Sequence, residues 1–497
     1  MGELQAHTEL VEYTIAQKSH DLAEDILSRK PKILGLGVYI WNIRETYELV
    51  SILKRVQPNL VIVLGGPEVS YETETQSIFQ KSDYTICGEA EFLFPELCKN
   101  ILNHSPPSQK KIIGSLPEIS KLKFPYEYYS NADITTRVVY VEASRGCPYK
   151  CEFCLSSLDT SVRSFDLDLF LGEMQKLLDR GVKQFKFVDR TFNLSIPKSR
   201  KILEFFLAKI DLGLFLHFEL VPDRLPEELK EIIKQFPKGA LQFEIGVQTW
   251  SPKVARIVSR RQDYTKVIQN FEFLVRETGV HIHSDLIAGL PGEDLESFGI
   301  GFDALAALEP HEIQLGILKR LKGTPIIRHD QEWEMLYQEH PPYQILKTKE
   351  MSFEIVLKLT RMAKFWDLIA NSGNFKNSMK LLKELSQKRE KPSLFWEFWQ
   401  LSDLFNRRHP QRYGISLLNQ VESVWVYLVE ERGVEKQIAR LALILDYTQN
   451  PSRDIPIFLR EDTGTDSKII QTKKSRSLPL RQARHLSSEI NVTIPAN

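Results

Sequence analysis

Cysteine is scarce in this chain, and neither sign of charge dominates. Five cysteines among 497 residues form no framework of repeated spacings. That excludes a disulfide-stapled fold, and with no secretory leader evident a reducing cytoplasm is expected. Lys+Arg and Asp+Glu number 65 each, so the net charge is zero. No global field draws the chain to nucleic acid or to anionic lipid. No run of apolar residues is long enough to span a bilayer, and no internal repeat stands out. The triplet Asn491-Val492-Thr493 matches a glycosylation acceptor, which has no meaning without a leader.

What the chain does have is concentrated. Three of the five cysteines lie in Arg145-Gly146-Cys147-Pro148-Tyr149-Lys150-Cys151-Glu152-Phe153-Cys154, a C-x3-C-x2-C spacing. No fourth protein ligand is near. The next histidine is His217, and Cys87 and Cys98 lie far upstream. A structural zinc site closes its shell with four protein ligands. An iron–sulfur cubane held by three thiolates leaves one iron open, which makes it a reactive site. An incomplete zinc knuckle and chance packing of small apolar residues remain as alternatives and rank below the cluster.

The fold class is α/β, with a helical C-terminal part. Expected boundaries are a Rossmann-like domain over 1–120, a linker over 121–134, a barrel over 135–330, a helical domain over 331–455 and a mostly mobile tail over 456–497. In the first domain, strands are predicted over Leu10–Ile15, Ile33–Ile40, Leu60–Leu64 and Tyr84–Cys87, with helices between. Buried strands alternating with helices describe a parallel sheet covered on both faces. Gly37, and Gly65-Gly66 before Pro67-Glu68, fall at carboxyl ends of strands, where a ligand can approach the backbone. The usual opening strand and helix are not found, so an exposed apolar edge or an empty cleft beside Gly37 and Gly65 is expected. A structural α/β domain that has lost its ligand site is the alternative.

From Arg137 to Leu318, six strand-like segments alternate with helices, which over about 190 residues suits an open or closed parallel barrel. Residue parity puts Glu244, Gly246 and Gln248 on one strand face, and His281, His283 and Asp285 on one face of the next. Polar groups among Val, Ile and Leu are tolerable near a rim where a ligand or water supplies partners. Asp189 and Glu219 either line such a pocket or close helix caps and bridge to Arg190 and Arg224. His217, His281 and His283 read as satisfied structural histidines.

The cysteine loop after a first barrel strand resembles the cluster signature of radical S-adenosylmethionine enzymes. The preceding domain, with Gly65-Gly66-Pro67-Glu68 and Cys87-Gly88-Glu89-Ala90-Glu91, resembles the cobalamin-binding domain of their cobalamin-dependent class. The resemblance covers residues 1–330, and the remainder looks like the uncharacterised helical extension of one subgroup. It implies a [4Fe–4S] cluster on Cys147, Cys151 and Cys154, S-adenosylmethionine on the open iron, and cobalamin bordered by Gly37, Gly65 and Gly66. Phe153 would lie near the adenine, and Asp189 would occupy the region that contacts the amino group. Glu219 would face the ribose or carboxylate, while Gln248 and Gly289, in the Ile287–Pro291 turn, would border the adenosine. The Asp-x-His-x-x-Gly loop whose histidine can ligate cobalt has no match here.

The activity so implied is reductive cleavage of S-adenosylmethionine to a 5′-deoxyadenosyl radical, with cobalamin-dependent methylation of an unactivated carbon. Radical cyclisation or rearrangement, RNA modification, and a degenerate corrinoid- or cluster-binding protein are the alternatives. Implied partners are a small-molecule or peptide substrate and a low-potential electron donor such as flavodoxin or ferredoxin, with no membrane. Arg407, Arg408 and Arg412 with Trp396 and Trp399 could form a nucleic-acid surface; a helix core explains the tryptophans equally well. Amphipathic helices are predicted over Phe353–Asp367, Met379–Leu385, Leu394–Phe405, Ser416–Glu430 and Val434–Tyr447. They would cover the barrel opening or act as a stabilising cap. Beyond Arg460, Glu461–Asp466, Lys473–Arg476, Arg481 and Arg484 have few apolar anchors, so a mobile tail is expected.

Overall fold

The structure is a computed structural model that describes residues 1–411, 413–450, 453–460 and 480–485. Its first sheet has four parallel strands, β1 (Ile33–Gly37), β2 (Val61–Gly65), β3 (Tyr84–Cys87) and β4 (Lys111–Ile113), hydrogen-bonded in that order. The two-residue period of a strand builds a core on each face. Ile62 and Leu64 pack with Leu22, Ile26, Leu49 and Leu53 of the helices Ser19–Ser28 and Ile43–Val56. Val63 and Ile86 pack with Leu97 of the helix Leu93–Leu102 on the other face.

The strand predicted over Leu10–Ile15 does not form. Leu10 and Ile15 are exposed, Glu12 pairs with Arg137, and Tyr13 donates to Asp25 while its ring packs on the first core. One docked side chain does not make an apolar face, and the segment forms no ladder with β1. Among the described residues β1 is therefore an edge strand, and an open cavity lies beside Gly37 and Gly65.

The second sheet is the barrel. Strands β5 (Val139–Val141), β8 (Gln184–Phe187), β9 (Phe215–Leu220), β10 (Leu241–Gln248), β11 (His281–Ala288) and β12 (Glu312–Ile317) are all parallel and pair in sequence order. β5 and β12 do not meet, so the barrel is open. Between β5 and β8, the short strands β6 (Ser144–Arg145) and β7 (Arg163–Ser164) pair antiparallel and close the base of the cysteine loop. Phe185, Phe187, Phe218 and Phe243 are fully buried with Phe206 and Phe271 of the outer helices. Their strand neighbours Lys186, His217, Glu219, Gln242 and Glu244 take the opposite, inner face.

After the barrel, β13 (Leu336–Tyr337) and β14 (Ile345–Lys347) pair antiparallel. Five longer helices follow: Phe353–Trp366, Lys376–Gln387, Leu394–Arg408, Leu417–Val426 and Lys436–Tyr447. The first of them packs against β12 and β14, and the third against the barrel helix Leu295–Ala307. Phe302, on the barrel helix Leu295–Ala307, stacks edge-on to Trp366 at 4.8 Å and lies 5.7 Å from Phe395, so the two cores are continuous. Trp396 and Trp399 pack against this core, and Arg407 and Arg408 pair with Glu431 and Glu422. Arg412, the third arginine of the predicted nucleic-acid surface, lies outside the described residues.

Part of the expected mobile tail is in fact docked. Leu480–His485 is a helix under the amino-terminal end of the barrel. Arg481 Nε donates to Glu312 at 2.8 Å, and Gln482 bonds to Gln242 at 2.8 Å. Polar contacts do here what apolar anchors were expected to do, which hydropathy does not register. Residues 461–466, 473–476 and 491–493 lie outside the described residues.

Candidate functional site

The cysteine loop starts at a backbone position only glycine can occupy comfortably. Gly146 has φ +87°, and a Cβ there would sit 2.1 Å from Ser161 O. Cys147 N donates to Asp159 O at 3.0 Å and Cys154 N to Cys151 O at 3.0 Å, which coils the loop on itself. Cys147 and Cys151 are buried and Cys154 is half-buried. Burial pushes the Cys147 and Cys151 thiols up, and the Cys154 charge adds to the rise at both. Against this, Arg260 Nη1 reaches Cys151 Sγ at 3.5 Å and favours its thiolate. Phe153 turns its ring onto the barrel core. Among the described residues, no three or more His, Cys, Asp or Glu side chains gather tightly enough for a single metal ion.

Asp189 follows β8 and is 3% exposed. One carboxylate oxygen accepts from Ala143 N at 2.9 Å, the other from Ser144 Oγ at 2.5 Å. It is therefore a clamp on the strand entering the cysteine loop, and burial raises its pKa to about 6. Glu219 lies on the inner face, with Arg190 Nη1 at 3.4 Å, and burial raises it as well. Glu244 beside it accepts from His217 at 3.1 Å, which holds it down at about 2. His283 Nε2 stands 3.4 Å from Asp285 Oδ1. Gln248 adopts φ +72° at a bulge in β10, and its side-chain amide covers Gly246.

Gly289 is a correction. It was expected to border the adenosine, but it is buried under β14, and a Cβ would meet Ile345 Cγ2 at 2.7 Å. Its φ of +88° lets the Ile287–Pro291 turn fold beneath the post-barrel hairpin.

The N-terminal cleft faces the same loop. A cavity of about 1060 Å³ is lined by Gly35, Gly37, Gly65 and Gly88 at the carboxyl ends of β1–β3, and closed by Phe92, Phe94 and Phe124. None of its lining residues is a histidine. Gly66 corrects the expectation for that pair: it is turned from the cavity onto Val38, where a Cβ would lie 2.5 Å from Val38 O. Glu68 is buried and accepts from Tyr343 OH at 2.7 Å, which ties this turn to the post-barrel segment. Glu89, at the cavity wall, pairs with both Arg145 and Arg163, and Arg145 also holds Glu91 at 2.5 Å and Glu142 at 3.0 Å. This ion network sets the glycine-lined cleft against the base of the cysteine loop. Sequence reasoning gave no role to Glu89, Arg163, Glu152 or Arg260, because the partners that define those roles lie 56 to 177 residues away.

Three family models match in succession: the B12 binding domain over residues 3–98, the Radical SAM superfamily over 141–299, and a protein domain of unknown function, DUF4080, over 331–490. An uncharacterized methyltransferase of Pyrococcus horikoshii is 23% identical over 373 residues, covering 69% of this chain and 80% of its own length. The cobalamin-dependent radical SAM methyltransferase TokK of Streptomyces tokunonensis is 25% identical over 338 residues, covering 60% of this chain; the chain spans 48% of that protein. Among solved structures, the cobalamin-dependent S-adenosylmethionine radical enzyme OxsB aligns with a TM-score of 0.56 and 14% identity, over 88% of this chain and 73% of that one. That likeness shows the shared fold.

Fold, cysteine loop and glycine-lined cleft thus define a radical S-adenosylmethionine protein with a B12-binding domain ahead of its barrel. The chain carries these domains in that order ahead of a DUF4080 domain, and the cofactors that go with them are a [4Fe–4S] cluster, S-adenosylmethionine and cobalamin. The residues present fit these groups. Three free thiols on one short loop, two of them buried, suit a cluster with an open iron. At Gly37 and Gly65 an added Cβ would meet nothing closer than 3.4 Å, so their bare backbone opens onto the cavity.

Proposed function

We propose that this chain reductively cleaves S-adenosylmethionine and methylates an unactivated carbon of a small-molecule or peptide substrate. The observation that carries this reading is the ion network of Glu89 with Arg145 and Arg163, which brings the glycine-lined cleft against the three-cysteine loop. Cys147, Cys151 and Cys154 would hold the cluster, and Gly37 and Gly65 would border the cobalamin. When bound, these groups supply the electron for cleavage and the methyl group for transfer. The protein's part is to hold, orient and exclude. Arg260 favours the thiolate of Cys151, and Asp189 fixes the strand that delivers Cys147. Phe153, Glu219 and Gln248 are the residues proposed to flank S-adenosylmethionine on the barrel side. Glu219 and Glu244, with Lys186 and Arg190, give the inner face a polar lining where a substrate could be oriented near the open iron.

An external low-potential donor such as flavodoxin or ferredoxin would supply the electron. No described helix is long and apolar enough to cross a membrane. The test is anaerobic reconstitution with iron, sulfide and S-adenosylmethionine, with and without hydroxocobalamin. The expected result is formation of 5′-deoxyadenosine under reduction, lost in Cys147→Ala, together with stoichiometric retention of cobalamin. Cleavage by a chain that does not retain cobalamin would remove methyl transfer from the reading.

A further inference from the structure

Between the second and third cysteines sits a carboxylate that no motif assigns. Glu152 is 3% exposed, the same burial as Asp189, yet it lies on a loop and not in a strand. Its polar atoms bond to two segments distant in sequence. On one side is the turn after the helix Pro252–Ile257. Glu152 N donates to Val258 O at 3.1 Å, and Ser259 Oγ donates to Glu152 Oε1 at 2.5 Å. The next residue of that turn, Arg260, reaches Cys151 Sγ at 3.5 Å. Ser259 adopts φ +55°, a left-handed conformation that a serine keeps only where its surroundings over-determine it. On the other side is the turn Pro325–His329, beyond the last barrel strand. Ile326 N donates to Glu152 O at 3.1 Å, His329 Nε2 bonds to Glu152 Oε2 at 2.8 Å, and Arg328 pairs with Oε1.

We propose that Glu152 is a positioning residue for the iron–sulfur cluster, locking the Cys151–Cys154 stretch between the Val258–Arg260 and Ile326–His329 turns. The inference rests on the reading of Cys147, Cys151 and Cys154 as cluster ligands. A loop carrying three ligands has many conformations, and only those with all three sulfurs converging can bind a cubane. A buried carboxylate with donors on both sides selects among them before any iron arrives. It also places a fixed negative charge on the residue next to Cys151, while Arg260 places a positive one at the sulfur itself. Hydrogen bonds to the sulfurs and net charge around a cluster set its potential, so the same collar acts on holding and on tuning.

The experiment uses the full chain, reconstituted anaerobically with ferrous iron and sulfide, as wild type, Glu152→Gln, Glu152→Ala and Ser259→Ala. Far-ultraviolet circular dichroism and cobalamin uptake by the N-terminal cleft serve as fold controls. Glu152→Ala is expected to lower iron per chain at least threefold while both controls stay at the wild-type level. Glu152→Gln keeps the shape and one acceptor but removes the charge. It is expected to load cluster with an altered electron paramagnetic resonance signature. Its reduced-to-oxidised ratio at fixed potential should rise at least threefold, about 28 mV at 59 mV per tenfold for one electron. Ser259→Ala should fall between, and carries the test if Glu152→Ala does not fold. Wild-type iron content, signature and midpoint potential in Glu152→Gln and Ser259→Ala would overturn the proposal. A wild-type chain that takes up no cluster would instead overturn the ligand reading beneath it.

Discussion

Asp189→Asn should stabilise this protein, and increasingly so as pH rises. The carboxylate is 3% exposed, and burial lifts its pKa from 3.8 to about 6 despite acceptor bonds to Ala143 N and Ser144 Oγ. A carboxyl with a raised folded pKa binds its proton more tightly when folded. Its contribution to stability is present at low pH and is lost as pH climbs from 3.8 through 6. A shift of that size is worth about 3 kcal/mol when complete, at about 1.4 kcal/mol per unit. Taking both titrations together, about half of that loss is present at pH 5 and nearly all of it at pH 8. Asparagine keeps the shape, accepts from Ala143 N with its oxygen and donates to Ser144 Oγ, which can turn to accept, so no buried group is orphaned. The Asp189→Asn substitution should therefore raise stability by about 3 kcal/mol at pH 8 and by about half as much at pH 5. The assay is urea unfolding of the cofactor-free chain at both pH values, following the barrel transition. A variant less stable than wild type at pH 8, or an increment equal at the two pH values, would refute the burial argument. If the variant is stabilised and inactive, Asp189 is a charge retained for function at a cost in stability.

Three other outcomes are expected. Gly146→Ala forces a Cβ against Ser161 O at a position of φ +87°, so iron uptake after reconstitution should drop at least tenfold while cobalamin retention persists. His311 Nδ1 accepts from Ile282 N at 3.1 Å, and burial depresses its pKa to about 3. A histidine held neutral in the fold loses stability as pH falls below 6.5, by about 2 kcal/mol at pH 5, and hydrogen exchange at Ile282 should quicken about 30-fold once intrinsic rates are corrected. His311→Asn should reduce that acceleration and leave the part contributed by His281 and His485, which pack against it and are held down at about 3 and about 4. Glu397 is fully buried and bonded to Arg432 at 2.8 Å, Arg389 at 3.1 Å and Tyr427 at 2.8 Å. Glu397→Ala leaves two guanidinium groups without their carboxylate and should cost about 3–5 kcal/mol, read as a lower thermal midpoint of the helical domain.

Much of the architecture was legible in advance because it rests on local patterns. The run Tyr84–Cys87 and the alternation Phe215 to Leu220 have apolar periods that only a strand can bury, and both are strands with those bounds or nearly so. Leu10–Ile15 has the same superficial pattern, but only Tyr13 packs on the core while Leu10 and Ile15 are exposed, and it stays irregular. Among the candidate site residues, the three cysteines stand out by spacing alone. Gly37 and Gly65 do so by their place at strand ends, and both line the cavity. Gly66 and Gly289 carry the same sequence signal, but one is turned onto Val38 and the other is covered by Ile345. The pattern marks a need for backbone freedom and does not say which side of the chain the freedom serves.

The amino-acid order by itself determined the class of chemistry, since thiolate count and spacing are covalent facts that folding cannot change. It also determined the succession of sheet, barrel and helices, since hydrophobic period is local. Only the tertiary structure decided that Asp189 would be a clamp, that Glu89 would bind the cleft to the cysteine loop, and that Glu152 would be gripped from both sides. A buried charge is defined by its partners, and here those partners are brought from 45 to 177 residues away by packing that no local pattern encodes.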